Sequence, residues 1–194
     1  MRRPLVALLA GTMAAALAGA ASAFPNEPDG FRGLTWGQEI AAIPDLAYTC
    51  WQSPADESIK TFHETLDYRV YERRDDELRI GSVPLTGIRY LAWQGKLTGV
   101  IVAFRQSEKD AFLKILTARY GKARQERRAG RTTYAWSGEK TTMELVEEFK
   151  MAEFRLRSTQ LAREERKARR EYSVRRLREK ESLDRKAVEQ GAGF

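Results

Sequence analysis

Apolar side chains recur along the chain with two different periods, and each period predicts a different kind of element. From Leu66 to Arg105 the period is close to two. Tyr68 and Val70 share a strand face there, and Leu78 and Ile80 fall on another short strand. Ile88 to Trp93 and Leu97 to Phe104 are nearly continuous apolar runs on either side of Gln94-Gly95-Lys96. They predict a β-hairpin with at least one strand central in its sheet and covered on both faces. The period then changes. Phe112, Ile115, Leu116 and Tyr120 recur at helical spacing, after Ser107 and Asp110 in a capping-box pattern. Gly121 suits the left-handed position that ends a helix. Strand alternation returns in Thr132 to Trp136, Thr141 to Phe149 and Glu153 to Ser158, with Gly138-Glu139 as a turn. Tyr90, Trp93, Trp136 and Phe149 are expected in the core, where aromatics bury the most area. The whole predicts an α+β fold: a mainly antiparallel sheet with a capped helix packed on it, followed by a long charged C-terminal helix.

Before the sheet, Phe24 to Gly30 reads as a lead-in carrying two prolines and a glycine. Phe31-Arg32-Gly33-Leu34-Thr35-Trp36-Gly37 reads as a strand entering a tight turn, with Gln38 to Ile43 a short helix closed by Pro44-Asp45. This block, the Ile88–Phe104 hairpin, the Tyr120-Gly121 helix end and Tyr134-x-Trp136 together resemble small exported bacterial (periplasmic) proteins of uncharacterised function. Those proteins open their mature domain with a Phe-x-Gly-Leu-x-Trp-Gly block. The resemblance runs from about Asp29 to Ser158 and leaves out the C-terminal tail. It implies a fold type and an exported location, and it carries over no catalytic residue.

The two ends have their own compositions. Arg2 and Arg3 precede an uncharged apolar run from Leu5 to Ala18, followed by Ala21-Ser22-Ala23, which is the pattern of a signal peptide cleaved near Ala23. The run is shorter than the ~20 residues a membrane span needs. The expected organisation is a signal peptide at 1–23, an α+β domain at 24–159, a charged helical tail at 160–190 and a flexible end at 191–194. The expected location is periplasmic or secreted. Residues 160–190 hold eleven Lys or Arg and seven Asp or Glu with no Gly or Pro. Glu165–Arg169, Glu171–Arg175 and Glu181–Arg185 sit at helix-supporting i,i+4 spacing. Leu161, Ala168 and Tyr172 form a narrow stripe that can dock on the domain, a possible partner contact, while Glu165 interrupts it.

Candidate chemistry is sparse. One His and one Cys cannot build an all-His/Cys zinc site or a disulfide framework, so no metal or cofactor is expected. Cys50 reads as a buried thiol or the partner in an intermolecular disulfide; Cys50 with His63 as its base is the hydrolase alternative. Lys122, Arg124, Arg127, Arg128 and Arg131 concentrate five cations in the connection after the helix, a possible anion-binding loop. The formal charge of +7 falls apart on inspection. Arg2 and Arg3 leave with the signal, the tail carries +4, and residues 24–159 are left with +1. Nucleic acid is therefore not an expected partner. The reading is an exported non-enzymatic binding or accessory module of the bacterial envelope, its C-terminal helix a partner-contact arm for an unidentified protein or envelope component. The other alternative is peripheral association of the basic tail with anionic envelope surfaces.

Overall fold

The computed structural model describes residues 24–49, 65–128, 131–148 and 150–191. The strands are β1 (Gly30–Phe31), β2 (Leu34–Thr35), β3 (Leu46–Thr49), β4 (Tyr68–Arg73), β5 (Arg79–Ile80), β6 (Val83–Pro84), β7 (Gly87–Trp93) and β8 (Lys96–Arg105). Helix α1 (Lys109–Tyr120) follows, then β9 (Arg124–Arg128), β10 (Arg131–Ser137), β11 (Thr141–Glu148), β12 (Met151–Ser158) and helix α2 (Thr159–Gly191). Eight strands form one antiparallel sheet in the order β3-β4-β7-β8-β12-β11-β10-β9, and β1-β2 and β5-β6 are small separate hairpins. The fold is α+β.

The hairpin at the centre forms as its sequence dictates. Gln94 and Gly95 both have positive φ, 51° and 72°, as a two-residue turn matched to strand twist requires. Trp93 then pairs with Lys96. The register shifts between Leu91 and Ala92, where Leu91 faces Gly99 and Ala92 faces Leu97. Thr98 is the extra residue of this bulge, and its buried hydroxyl donates to the Leu91 carbonyl at 3.2 Å. The shift keeps Leu97, Val100, Val102 and Phe104 all in the main core. Strand β8 is buried on both faces from Leu97 to Val102, as a central strand should be.

Helix α1 and the N-terminal segment close one face of the sheet, here the inner face. Phe112 stacks on Phe104 at 4.4 Å and meets Phe154 edge-on at 5.5 Å. The Trp136 Nε1–H donates to the Gly121 carbonyl at 2.9 Å, tying the end of α1 to β10. Gly121 ends the helix with φ 77°, as expected, but the start departs from the capping-box reading. Ser107 lies inside a 3₁₀ turn (Gln106–Glu108), and α1 begins at Lys109 with no side-chain cap. The turn itself supplies the backbone geometry that leads β8 into the helix, so no cap is needed. In the lead-in, the Glu27 carboxylate accepts from the backbone N–H of Lys140 and Thr141 at 2.6 and 2.7 Å. The Trp36 Nε1–H donates to Thr141 Oγ1 at 2.7 Å. The tryptophan of the opening block thus straps the N-terminus onto the β10–β11 turn. Residues 38–43 hold only a 3₁₀ turn (Ile40–Ala42), and Arg32-Gly33 forms a second two-residue turn between β1 and β2.

Tyr90, Trp93 and Trp136 are core residues, while Phe149 lies outside the described residues, as do residues 1–23 and 192–194. The tail begins one residue earlier than expected, and its helix includes Gly191.

Gly99 leaves no room for a side chain. A Cβ there would lie 2.7 Å from the Leu156 carbonyl oxygen, whereas a Cβ at Gly87 meets nothing within 4 Å. Gly99→Ala is expected to lower unfolding free energy by about 1–3 kcal/mol, and Gly87→Ala to change it by less than about 0.5 kcal/mol. Urea melts of the two variants side by side check this.

Candidate functional site

Two clusters of buried charge distinguish the faces of the sheet. On the inner side, Arg32 forks into the β4–β5 connection. Its guanidinium lies 2.6 Å from Asp76 Oδ1 and donates to the carbonyls of Glu77 and Arg79 at 2.6 and 2.7 Å. The Tyr90 hydroxyl donates to the other Asp76 oxygen at 2.5 Å. The run Asp75-Asp76-Glu77 lies in the connection between β4 and β5. What its sequence conceals is that Asp76, its side chain 7% exposed, is the buried acceptor joining two hairpins. Burial first, and then the bond to Asp76, hold the Tyr90 phenol far above its ordinary range. Both Asp76 carboxylate oxygens are taken up by these partners, while the Arg32 side chain stays 23% exposed.

The second cluster lies where α2 leaves the sheet, on the outer face. Tyr68, Val70, Leu91 and Ile101 form a small apolar patch there. Beside it Glu153 of β12 bridges Arg89 and Arg155, each at 2.7 Å. The Ser158 hydroxyl accepts from the Leu161 N–H at 3.2 Å and so caps α2. Thr159 Oγ1 donates to the Gly138 carbonyl at 3.1 Å. One turn on, Glu165 is 3% exposed at its side chain and is held by Arg157 of β12 and by Arg169 of its own helix, the latter at 2.6 Å. The Arg169 guanidinium also sits 5.4 Å from the centre of the Tyr68 ring. Burial raises the Tyr68 phenol above its ordinary value, opposed by the nearby positive charges of Arg157 and Arg169.

Glu165 corrects the sequence reading of the docking stripe. A carboxylate in an apolar stripe reads as an interruption; here it is the most buried charged side chain of the helix, because two arginines converge on it. Ala162 is buried beside it, while Leu161, Ala168 and Tyr172 are half-buried around it. The anchor of the helix is thus a salt bridge, with these half-buried positions around it.

The basic cluster is also placed differently. Arg124 to Arg128 is not a loop but the edge strand β9, paired with β10 from Arg124↔Ala135 to Arg128↔Arg131. Alternation then puts Arg124 and Arg127 on opposite faces, and Arg124 pairs with Glu126. Lys122 precedes the strand and Arg131 opens the next, both exposed. Lys122, Arg124, Arg127 and Arg131 are thus spread along an edge strand and its two flanks rather than gathered in a loop. On an edge strand, exposed charge discourages pairing with another sheet. Pairing with β10 overrode the polar sequence Arg-Gln-Glu-Arg-Arg, which has no strand pattern of its own.

Cys50 and His63 lie outside the described residues. Tyr48, two residues before Cys50, is exposed. Among the described residues, no group of three His, Cys, Asp or Glu side chains is placed to hold a metal ion, and no helix is long and apolar enough to cross a membrane. No family model matches the chain, and neither a curated protein nor a solved structure is detectably similar to it.

Two measurements test these clusters. Glu165→Ala leaves two guanidinium groups, each about one-third exposed, without their shared counter-charge. It should cost about 2–3 kcal/mol, less than a fully buried pair, and speed amide exchange across 159–172 more than across β8. The tyrosines give a pH signature. Tyr68, Tyr90 and Tyr120 all have raised phenol pKa values, chiefly through burial. A raised folded pKa means the contribution is intact below about pH 10 and is lost as pH climbs toward the folded value. Stability should therefore fall from about pH 10 upward, by at most ~1.4 kcal/mol per pH unit for each tyrosine. Tyr90→Phe should flatten that fall in a pH series of melts.

Proposed function

We propose that the protein is an exported, non-enzymatic binding or accessory module of the bacterial envelope that presents α2 as a partner-contact arm. One observation carries this reading: α2 is anchored at its first turns and exposed along the rest. Glu165 is fastened between β12 and the helix's own Arg169, whereas from Ser173 every described side chain is exposed. Val174, Leu177, Leu183 and Val188 are 46–71% exposed. A helix of 33 residues spans about 50 Å at ~1.5 Å per residue. A long solvated helix is costly to order by propensity alone, and a buried root at one end lowers that cost for the turns beyond. The N-terminal pattern from Arg2 to Ala23 supports the exported location.

The place to cut the arm follows from the root. Truncation after Ser173 removes only exposed helix, while truncation at residue 160 would also remove Ala162 and Glu165. The chain ending at Ser173 should unfold within about 0.5 kcal/mol of the full chain and lose the crosslinks that the full chain forms in intact envelopes. Persistence of every crosslink in the truncated chain overturns the arm reading.

A further inference from the structure

The exposed side of α2 carries a pattern that fits a second copy of itself. Residues 163, 167, 170, 174, 177, 181, 184 and 188 follow alternating steps of four and three, the spacing of one coiled-coil seam. All eight are exposed, on the side of the helix away from Ala162 and Glu165. Only Val174, Leu177 and Val188 among them are apolar, too few for a seam built on hydrophobicity alone. The charges in the remaining positions are what select a partner.

We infer that α2 pairs with α2 of a second copy, antiparallel, with Val174 packed against the second copy's Leu177. That single register fixes every other layer. Arg170 meets the second copy's Glu181, and Lys167 meets the second copy's Asp184. On the flank, Glu171 faces the second copy's Arg178, and Glu164 faces the second copy's Arg185. Each pair occurs twice by two-fold symmetry, and no like charges oppose each other at these positions. The competing arrangements fail. A parallel, in-register pair would set Arg163, Lys167, Arg170, Glu181 and Asp184 each against its own copy, five layers of like charge. Sliding the antiparallel pair by one heptad toward the C-termini sets Val174 against Asp184 and Leu177 against Glu181.

Within one chain these charges are weakly engaged. Lys167 reaches Glu171 only at 4.0 Å, and Arg170, Arg178, Glu181, Asp184 and Arg185 have no ion pair among the described residues. The seam faces away from the docked side, so each domain lies on the outside of the helix pair. This inference rests on the arm reading and names its partner.

Sedimentation equilibrium of the purified protein tests it, over about 1 µM to 1 mM. The expected result is a monomer–dimer equilibrium that weakens with added salt. Arg170→Glu and Glu181→Arg should each weaken dimerisation at least tenfold, and the double exchange should restore it. Both substitutions are on exposed helix, so the monomer's melting temperature should not move in any of the three variants. Spin labels at position 187 of the two copies should lie about 35 Å apart if the helices are antiparallel, against about 10 Å if parallel. A monomer at every concentration, a short label distance, or single exchanges without effect overturns the pairing. If a monomeric protein still shows arm-dependent crosslinks to other envelope components, the arm reading stands and the self-pairing falls. If those crosslinks are absent as well, both fall.

Discussion

A carboxylate taken out of water must be given its hydrogen bonds back, and the root of α2 exists because Glu165 gets them from two arginines at once. An unpaired buried carboxylate would cost several kcal/mol. Arg157 approaches from β12 and Arg169 from one turn further along the helix. The two partners belong to different elements, so the charge can be satisfied only when the helix lies against the outer face of the sheet. An apolar contact in the same place would tolerate sliding or rotation of the helix. Two guanidinium groups aimed at one carboxylate tolerate much less, since their donors are fixed in direction. The direction in which the arm leaves the domain is therefore set by electrostatics.

The two faces of the sheet use buried charge for opposite ends. On the inner face, Arg32, Asp76 and Tyr90 complete one another and close a core that Phe104, Phe112 and Phe154 already fill. On the outer face the apolar cluster is small, just Val70, Leu91 and Ile101 with Tyr68 packed on it, and charge takes over the work of attachment. The bulge at Thr98 connects the two designs. Its extra residue keeps Leu97 and Val100 in the inner core while Gly99, having no side chain, lets β12 bring Arg157 close to β8. A side chain at Gly99 would disturb the strand that carries half of the Glu165 clasp.

Much of the fold is legible in the order of residues. The hairpin, α1, the β10–β11 pair and the charged helix all show periods that only one element satisfies. The parts that were not legible share a physical cause: their structure comes from a partner distant in sequence. Strand β9 has no alternation and becomes a strand by pairing with β10. Asp76 reads as a turn residue, and Arg32 and Tyr90, far from it along the chain, make it a buried acceptor. Glu165 reads as a break in a stripe because helical arithmetic counts a charge as solvent-facing, and Arg157 lies outside the helix being counted. In the candidate site, then, helical arithmetic picks out positions that are half-buried, while the buried charge that anchors the helix is not legible from the helix alone.

The distribution of charge completes the picture of how the arm is built. The tail holds eleven cations against seven anions, yet its basic excess is not gathered on one side. On the docked side Arg157 and Arg169 are spent on Glu165, and on the far side the seam is positive at Arg163, Lys167 and Arg170 and negative at Glu181 and Asp184. A surface meant for a featureless polyanion gains from concentrating one sign, because such a target offers no register. A surface whose sign reverses along its length gains only from a partner whose signs reverse in the complementary order. Sequence-independent attraction falls when both signs share one seam, while discrimination between registers rises. The proposed self-pairing uses this second kind of recognition: an antiparallel copy sets the positive end of one seam against the negative end of the other.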